Sequence, residues 1–154
     1  MPVPEYPLLQ ETITSTIEEC DFSETLVIEE NDVSPPTGWS AASYTLRRPE
    51  KDIYAGHCMG ILSREKDDIR TLGINVTTID GKEELSEEEL EQAVIFATHL
   101  FGGFRNGKQV YKSLKKQVDM TSEFVWEKEI DGIACRVKYT PYVSAKLVIS
   151  FSTN

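Results

Sequence analysis

The chain has 154 residues, with 26 acidic and 16 basic side chains and a formal net charge of −10. This length predicts a single domain spanning residues 1–154, of which residues 1–7 form a flexible start, and the apolar content excludes a disordered chain. The excess of acids argues against nucleic acid as a partner because phosphates bind basic surfaces, and no stretch approaches the ~18 apolar residues of a membrane span.

The first half of the chain predicts one helix followed by four strands. Apolar side chains at Leu9, Ile13, Ile17 and Cys20 recur at helical spacing, so we expect a helix over 8–20. Strand-like runs follow, with a proline-rich loop between the first two and a polar connection between the last two. The strands cover 24–30, 41–48, 53–63 and 69–79, the loop covers 34–38 and the connection covers 64–68.

Two features of these strands concern the faces of the sheet. Leu72, Ile74 and Val76 alternate with polar or small residues, which is typical of a sheet with one solvated face. Gly56 and Gly60 lie in the preceding strand and indicate either bulges or the close approach of another group.

Two helical segments are predicted in the second half. Ser86 and Glu89 have the spacing of a capping box and begin the first segment. Its apolar face consists of Leu90, Ala93, Val94, Ala97, Leu100 and Phe101. Gly102 and Gly103 then indicate a bend or C-cap. The second segment covers 104–117, and its apolar side consists of Phe104, Val110, Tyr111, Leu114 and Val118.

The last part of the chain predicts a β-hairpin with a defined register. Asp131-Gly132 separates two alternating runs, which calls for a two-residue type I′ turn. That turn pairs residues whose numbers sum to 263: Phe124 with Tyr139, Trp126 with Val137, Lys128 with Cys135, Ile130 with Ile133, and Glu127 with Arg136. The first four pairs share one face, and the Glu127–Arg136 pair is a favourable ion pair on the other. Leu147, Ile149 and Phe151 predict a final strand.

The order of elements indicates an α+β fold. It runs helix, four strands, two helical segments and three strands. Because each group of strands has one apolar side, we expect an antiparallel sheet of about six to seven strands. The N-terminal helix and the central broken helix pack on one face of that sheet.

Charge is segregated along the chain. Nine acids precede the first basic residue, Arg47. Later, basic residues cluster in a segment without acids and lie on one side of the second helical segment. This basic arc consists of Arg105, Lys108, Lys112, Lys115 and Lys116.

The basic arc has two interpretations. As a functional face it would bind an acidic peptide, a phosphate-bearing ligand or a membrane surface. As a structural face it is the solvated side of an amphipathic helix and faces the acidic N-terminal third. We favour the structural interpretation, because a few cations on a chain of net charge −10 attract polyanions weakly.

No catalytic or metal-binding constellation is apparent. His57 and Cys58 are adjacent in a strand, so their side chains point to opposite faces. Cys135 falls on the apolar side of the hairpin, where a thiol behaves as a small hydrophobic group. The His and Cys residues lack metal-ligand spacing, and neither a calcium loop nor a phosphate loop is present. We therefore expect no cofactor and no metal.

Trp39 follows the proline-rich loop and has two interpretations. An exposed loop Trp would mark a recognition site, because Trp is enriched at the energetic centres of interfaces. The alternative, which we favour, is that the side chain folds back over the core.

Three segments resemble parts of uncharacterised soluble domains of clostridial-type surface lipoproteins. They are Tyr44-Thr45-Leu46-Arg47, the run Phe96–Phe104 with Gln109-Val110-Tyr111, and Val125–Gly132. The resemblance covers most of the chain from about residue 40. None of these segments is a catalytic motif, so no activity is implied. The resemblance implies a domain displayed outside the membrane after removal of a signal and a lipidated Cys, neither of which this chain contains.

These observations favour a non-enzymatic binding domain outside a bacterial cell. It would bind an unknown protein or a small anionic ligand through an open sheet face or the groove beside the second helical segment. The alternative is a cytosolic acidic chaperone or adaptor, and a hydrolase with dispersed acidic residues is a third possibility.

Overall fold

The structure is a computed structural model, and it describes most of the chain. The described residues are 10–20, 27–47, 57–67, 69–78, 85–101, 104–117, 121–130, 132–141 and 145–153, with the main chain alone at 57–58, 78 and 104–106. Everything below refers to these residues. The predicted flexible start at 1–7 and the Gly102-Gly103 interruption lie outside them.

One helix and a four-stranded meander form the first half. Helix α1 spans Gln10–Glu19, and its predicted stripe is confirmed at Ile13, which is fully buried. The strands are β1 (Val27–Asn31), β2 (Ser40–Arg47), β3 (His57–Lys66) and β4 (Ile69–Thr78). Each pairs antiparallel with the next.

Residues 64–66 were expected in the connection but belong to β3. They pair with β4 up to Lys66, opposite Ile69. Arg64 and Lys66 point to the solvated face of the sheet, where polar side chains do not interrupt a strand. The turn is therefore shorter than the sequence indicated, and Asp67 has a φ of 50° within it.

Two helices follow the meander. Helix α2 spans Glu87–Phe101 and α3 spans Phe104–Lys115. The capping box is confirmed: Glu89 N–H donates to Ser86 Oγ at 3.1 Å and Ser86 N–H donates to Glu89 Oε1 at 3.0 Å. All six predicted apolar residues of α2 are buried, and Phe96 and Thr98 are buried as well because α2 is covered on more than one side.

The hairpin of β5 (Phe124–Ile130) and β6 (Ile133–Thr140) has the predicted register at every pair. Gly132 has a φ of 81°, the left-handed conformation that its turn position requires. The predicted cross-strand ion pair joins Arg136 Nε to Glu127 Oε1 at 3.3 Å. Turn chemistry, apolar alternation and charge pairing therefore agree on one arrangement.

The C-terminal strand β7 (Lys146–Ser152) joins the two halves of the sheet. It pairs antiparallel with β4 on one side and with β6 on the other, giving the order β1-β2-β3-β4-β7-β6-β5. The fold is thus an α+β arrangement with a seven-stranded antiparallel sheet. The edge strands are β1 and β5.

The helices cover one side of the sheet, called the inner face. This face carries the apolar residues of each strand, including Ile74, Val137 and Leu147, all fully buried. Helix α2 contacts β4 and β7 near the middle of the sheet, where Phe101 stacks on Phe151 with ring centroids 5.1 Å apart. Burial of these side chains supplies the main driving force for folding.

Candidate binding face

The opposite side of the sheet, called the outer face, carries the alternate residues of all seven strands. The register assigns each position, because successive side chains in a strand point to opposite faces. On β4, Leu72 and Ile74 belong to the inner face, whereas Thr71, Gly73 and Asn75 belong to the outer face. None of the three described helices packs on the outer face, and none of its strand residues whose side chains are described is buried.

Cations outnumber acids on the outer face. Six strand positions are basic and form what we call the cationic border: Arg47, Arg64, Lys66, Arg136, Lys138 and Lys146. Three are acidic: Glu29, Glu127 and Glu129. The face thus carries about three net positive charges on a chain of net charge −10.

The cationic border encloses an uncharged area, called the floor, on three sides. The floor spans β2, β3, β4 and β7, a width of about 15 Å at the usual strand spacing. It consists of Ser43, Thr45, Gly60, Leu62, Gly73, Asn75, Val148 and Ser150. By register, Arg64 lies at one end of the floor, Arg47 and Lys146 lie at the other, and Arg136 and Lys138 run along the β6 side.

Two glycines of the floor are diagonal neighbours on the adjacent strands β3 and β4. Gly60 pairs with Asn75, and Gly73 pairs with Leu62, in a register that continues unbroken through both. A Cβ at Gly60 would lie 4.0 Å from Asn75 Cβ, and one at Gly73 would lie 3.8 Å from the Leu62 carbonyl oxygen. The bulge considered for Gly60 from sequence is therefore absent.

The margins of the outer face are tied by side-chain contacts. Arg47 Nε donates to Glu29 Oε1 at 2.6 Å, and Asn31 Nδ2 donates to Thr45 Oγ1 at 2.9 Å, so β1 is fastened to β2. These groups are exposed, and such pairs contribute little to stability. Their effect is to fix where the charges lie.

A shallow depression of about 470 Å³ lies on the β5 side of the outer face. Its outer-face lining consists of Glu127, Glu129, Ala134, Arg136, Ser150 and Ser152. The small side chain of Ala134 leaves the space between Glu129 and Ser152, which are its neighbours in the register. The depression continues the floor toward the edge of the sheet.

The basic arc lies on α3, away from the outer face. Lys108, Lys112, Lys115 and Lys116 are exposed, and nothing is described of the Arg105 side chain. Lys115 Nζ lies 3.4 Å from Glu87 Oε2, in the first turn of α2, and 6.0 Å from the centroid of the Tyr111 ring. The acid that Lys115 contacts thus belongs to α2 and not to the N-terminal third.

Acids of the N-terminal third contact other groups. Glu19, at the end of α1, contacts His99 Nε2 of α2, and Glu29 contacts Arg47. The His99 side chain lies mostly within the protein. The contact between His99 and Glu19 links α1 to α2.

Trp39 is partly buried at the margin of the outer face. The main-chain N–H of Trp39 donates to the Pro36 carbonyl oxygen at 3.0 Å, closing a turn in which Gly38 has a φ of 86°. Lys66 Nζ lies 5.7 Å from the Trp39 ring centroid, a cation–π distance. The Trp39 ring therefore lies beside a residue of the cationic border.

The two cysteines whose side chains are described are poor nucleophiles. Burial raises the pKa of the Cys135 thiol to about 12. Burial, with a smaller contribution from Glu19, raises the pKa of the Cys20 thiol to about 11. Both are therefore protonated at neutral pH, whereas thiol catalysis requires the thiolate.

Within the described part of the chain, no group of three or more His, Cys, Asp or Glu side chains has an arrangement that could hold a metal ion. No described helix is both long enough and apolar enough to span a membrane. No protein-family model, curated protein or solved structure matches the chain.

The sequence alone did not identify the outer face as a charged surface. Its cations come from four strands, and they lie together only because β7 pairs with both β4 and β6. The available signal was the alternation within each strand, which placed Arg136 opposite the apolar side of the hairpin. That signal does not indicate which strands are neighbours.

Proposed function

We propose that this chain is a non-enzymatic binding domain whose outer face binds an anionic partner. One observation carries the proposal: an open sheet face has net positive charge although the chain as a whole has a net charge of −10. Positive charge is therefore concentrated on the outer face of the sheet. Such concentration favours recognition and faster encounter with a complementary surface.

The small number of net positive charges on the outer face also limits the class of partner. A densely charged polyanion such as nucleic acid binds tightly to a strongly basic protein, because binding releases many of its counterions into solution. The outer face offers only about three net positive charges. The remaining surface of this chain would repel such a polymer. A partner with a few well-placed negative charges suits the cationic border better.

A charge-reversal experiment tests the proposal. We expect Lys138→Glu with Lys146→Glu to weaken binding of a fluorescein-labelled peptide of ten glutamates at least about tenfold, because both cations flank the floor. Fluorescence anisotropy at low and physiological salt measures the Kd, which should rise with salt through screening.

The matched control reverses Lys112 and Lys116 on the basic arc, which alters the net charge equally. This variant should bind within about threefold of the unaltered protein. An equal loss in both variants would show that net charge governs binding and not the outer face. Loss in the control alone would assign binding to the basic arc.

A location outside the cell, implied by the resemblance to surface lipoproteins, is part of the same proposal. A signal and a lipidated Cys encoded upstream of residue 1 would support it. The alternative, a cytosolic acidic chaperone or adaptor, instead predicts a stable homodimer, which light scattering would detect.

A further inference from the structure

We propose that the partner is an acidic polypeptide segment that lies extended across the floor, with its main chain close to Gly60 and Gly73. This inference rests on the proposed function, since it names the partner of the same face. It follows from the charges around the floor, from the hydrogen-bonding groups and glycines on the floor, and from charged residues on the edge strands that disfavour pairing there.

Charge sets the two ends of the bound segment. Arg64 lies at one end of the floor and Lys146 lies at the other, so carboxylates on both flanks of the segment find cations. Arg64 and Lys146 lie six residues apart along the strand direction and two strands apart, a separation of about 22 Å, which an extended chain rising about 3.3 Å per residue spans in about seven residues. The segment thus has acidic flanks and a short uncharged middle.

The floor offers hydrogen-bonding groups suited to a main chain. Thr45 and Ser150 provide hydroxyls, and Asn75 provides an amide, which together can donate to carbonyls and accept from N–H groups. None of the outer-face strand residues described is aromatic, so the floor lacks the stacking surface on which single-stranded nucleic acids rely. These groups favour a polypeptide over a nucleic acid.

Main-chain addition at the sheet edges is disfavoured. Edge strand β1 carries Glu29 and Glu30, and edge strand β5 carries Lys128 on its inner face, where Nζ lies 3.4 Å from Ser113 Oγ of α3. Charges of this kind protect edges from pairing with another strand. The partner therefore binds across the outer face rather than beside an edge strand.

Gly60 and Gly73 indicate where the main chain approaches. Glycine within a strand weakens it and usually marks a bulge, a tight bend or the close approach of another group. The register is unbroken at both positions, and neither has a positive φ. Each has room for a Cβ on the outer side. The fold itself does not require glycine at either position. A partner main chain in contact with the floor would require it, because a side chain there would occupy the space of the partner.

The test separates the requirements of the fold from those of the partner. We expect Gly60→Ala and Gly73→Ala to unfold at the same or a higher temperature than the unaltered protein, because alanine reduces the entropy of the unfolded chain without a clash. The probe is a labelled ten-residue peptide with three glutamates at each end and Ser-Gly-Ser-Gly between them. Each variant should raise its Kd about tenfold, since the added methyl group displaces the peptide main chain.

The control is Val125→Ile, which adds one methyl group to the outer face at its β5 edge, outside the floor and the depression, and should leave the Kd of the peptide unchanged. If one glycine variant loses stability, the other still tests the inference independently. Unchanged Kd in both glycine variants, with binding still lost on reversal of Lys138 and Lys146, would overturn this inference and leave the proposed function standing.

Two further outcomes are decisive. Failure of the unaltered protein to bind either glutamate peptide would overturn the proposed function together with this inference. Binding of dextran sulfate more tightly than the peptide, at equal total charge, would overturn the inference in favour of an anionic polysaccharide.

Discussion

The two faces of the sheet share one backbone but differ in the burial, polarity and charge of their side chains. The inner face of β4 carries Leu72, Ile74 and Val76, each at most 2% exposed. The outer face of the same strand carries Thr71, Gly73 and Asn75. The inner residues are explained by packing against α2, since burial of apolar area stabilises the fold. The outer residues have no such role, and our proposal attributes their composition to a bound partner.

Charge follows the same division. The chain carries an excess of acids, yet its outer face carries an excess of cations. Surface ion pairs such as Arg47 with Glu29 stabilise proteins weakly, so stability does not explain this arrangement. Matched substitutions on different sides of the molecule test whether stability depends on the inner side chains and not on the outer ones.

The largest expected difference is between two neighbours on β5. Trp126 is 6% exposed on the inner face, whereas Val125 is 49% exposed on the outer face. We expect Trp126→Ala to lower the free energy of unfolding by about 3–5 kcal/mol, because it removes a large buried side chain. Val125→Ala should change it by less than about 0.5 kcal/mol. Urea denaturation measures both, and a loss below about 1 kcal/mol at Trp126 would contradict the assignment of faces.

A second comparison uses glycines. In α3, a Cβ at Gly107 would lie 2.5 Å from Thr98 Oγ1 and 3.0 Å from Ile95 Cα of α2. We expect Gly107→Ala to lower the free energy of unfolding by about 1–2 kcal/mol, because overpacking outweighs the gain of about 1 kcal/mol in helix propensity. Gly60→Ala on the outer face should cause no loss. Equal stability of the two variants in urea denaturation would show that the contact between α2 and α3 is looser than described.

The smallest effect is expected at the basic arc. Replacement of Lys108, Lys112 and Lys115 by Gln should change the free energy of unfolding by less than about 1 kcal/mol, because these side chains are exposed. The Lys115–Glu87 contact joins groups that are 56% and 69% exposed, so its contribution is small. Thermal unfolding at low and high salt measures the effect. A larger loss that disappears at high salt would reveal internal pairing.

Local features of the fold were predictable from sequence. The Asp131-Gly132 turn fixed the register of the hairpin, because a two-residue loop permits one pairing. Ser86 and Glu89 likewise marked the start of α2 from four adjacent residues. Each of these signals lies within a short stretch of chain, and each was confirmed.

The order of strands and the charged face were not predictable in the same way. The position of β7 between β4 and β6 depends on pairing between residues as distant as Leu72 and Phe151. The cations of the outer face are scattered along the chain, whereas those of the basic arc are close together in sequence. Sequence reading therefore identified the basic arc and missed the larger assembly.

The central position of β7 has a consequence for biosynthesis. During translation the meander and the hairpin emerge before β7, each with an unpaired edge at what becomes the middle of the sheet. Parts of a domain that wait for a late strand expose apolar surface and are prone to aggregation and proteolysis. Because Val148 and Ser150 belong to the floor, a chain that stops before β7 also lacks part of the outer face. Synthesis of β7, joining of the two halves of the sheet and assembly of the outer face are thus a single event.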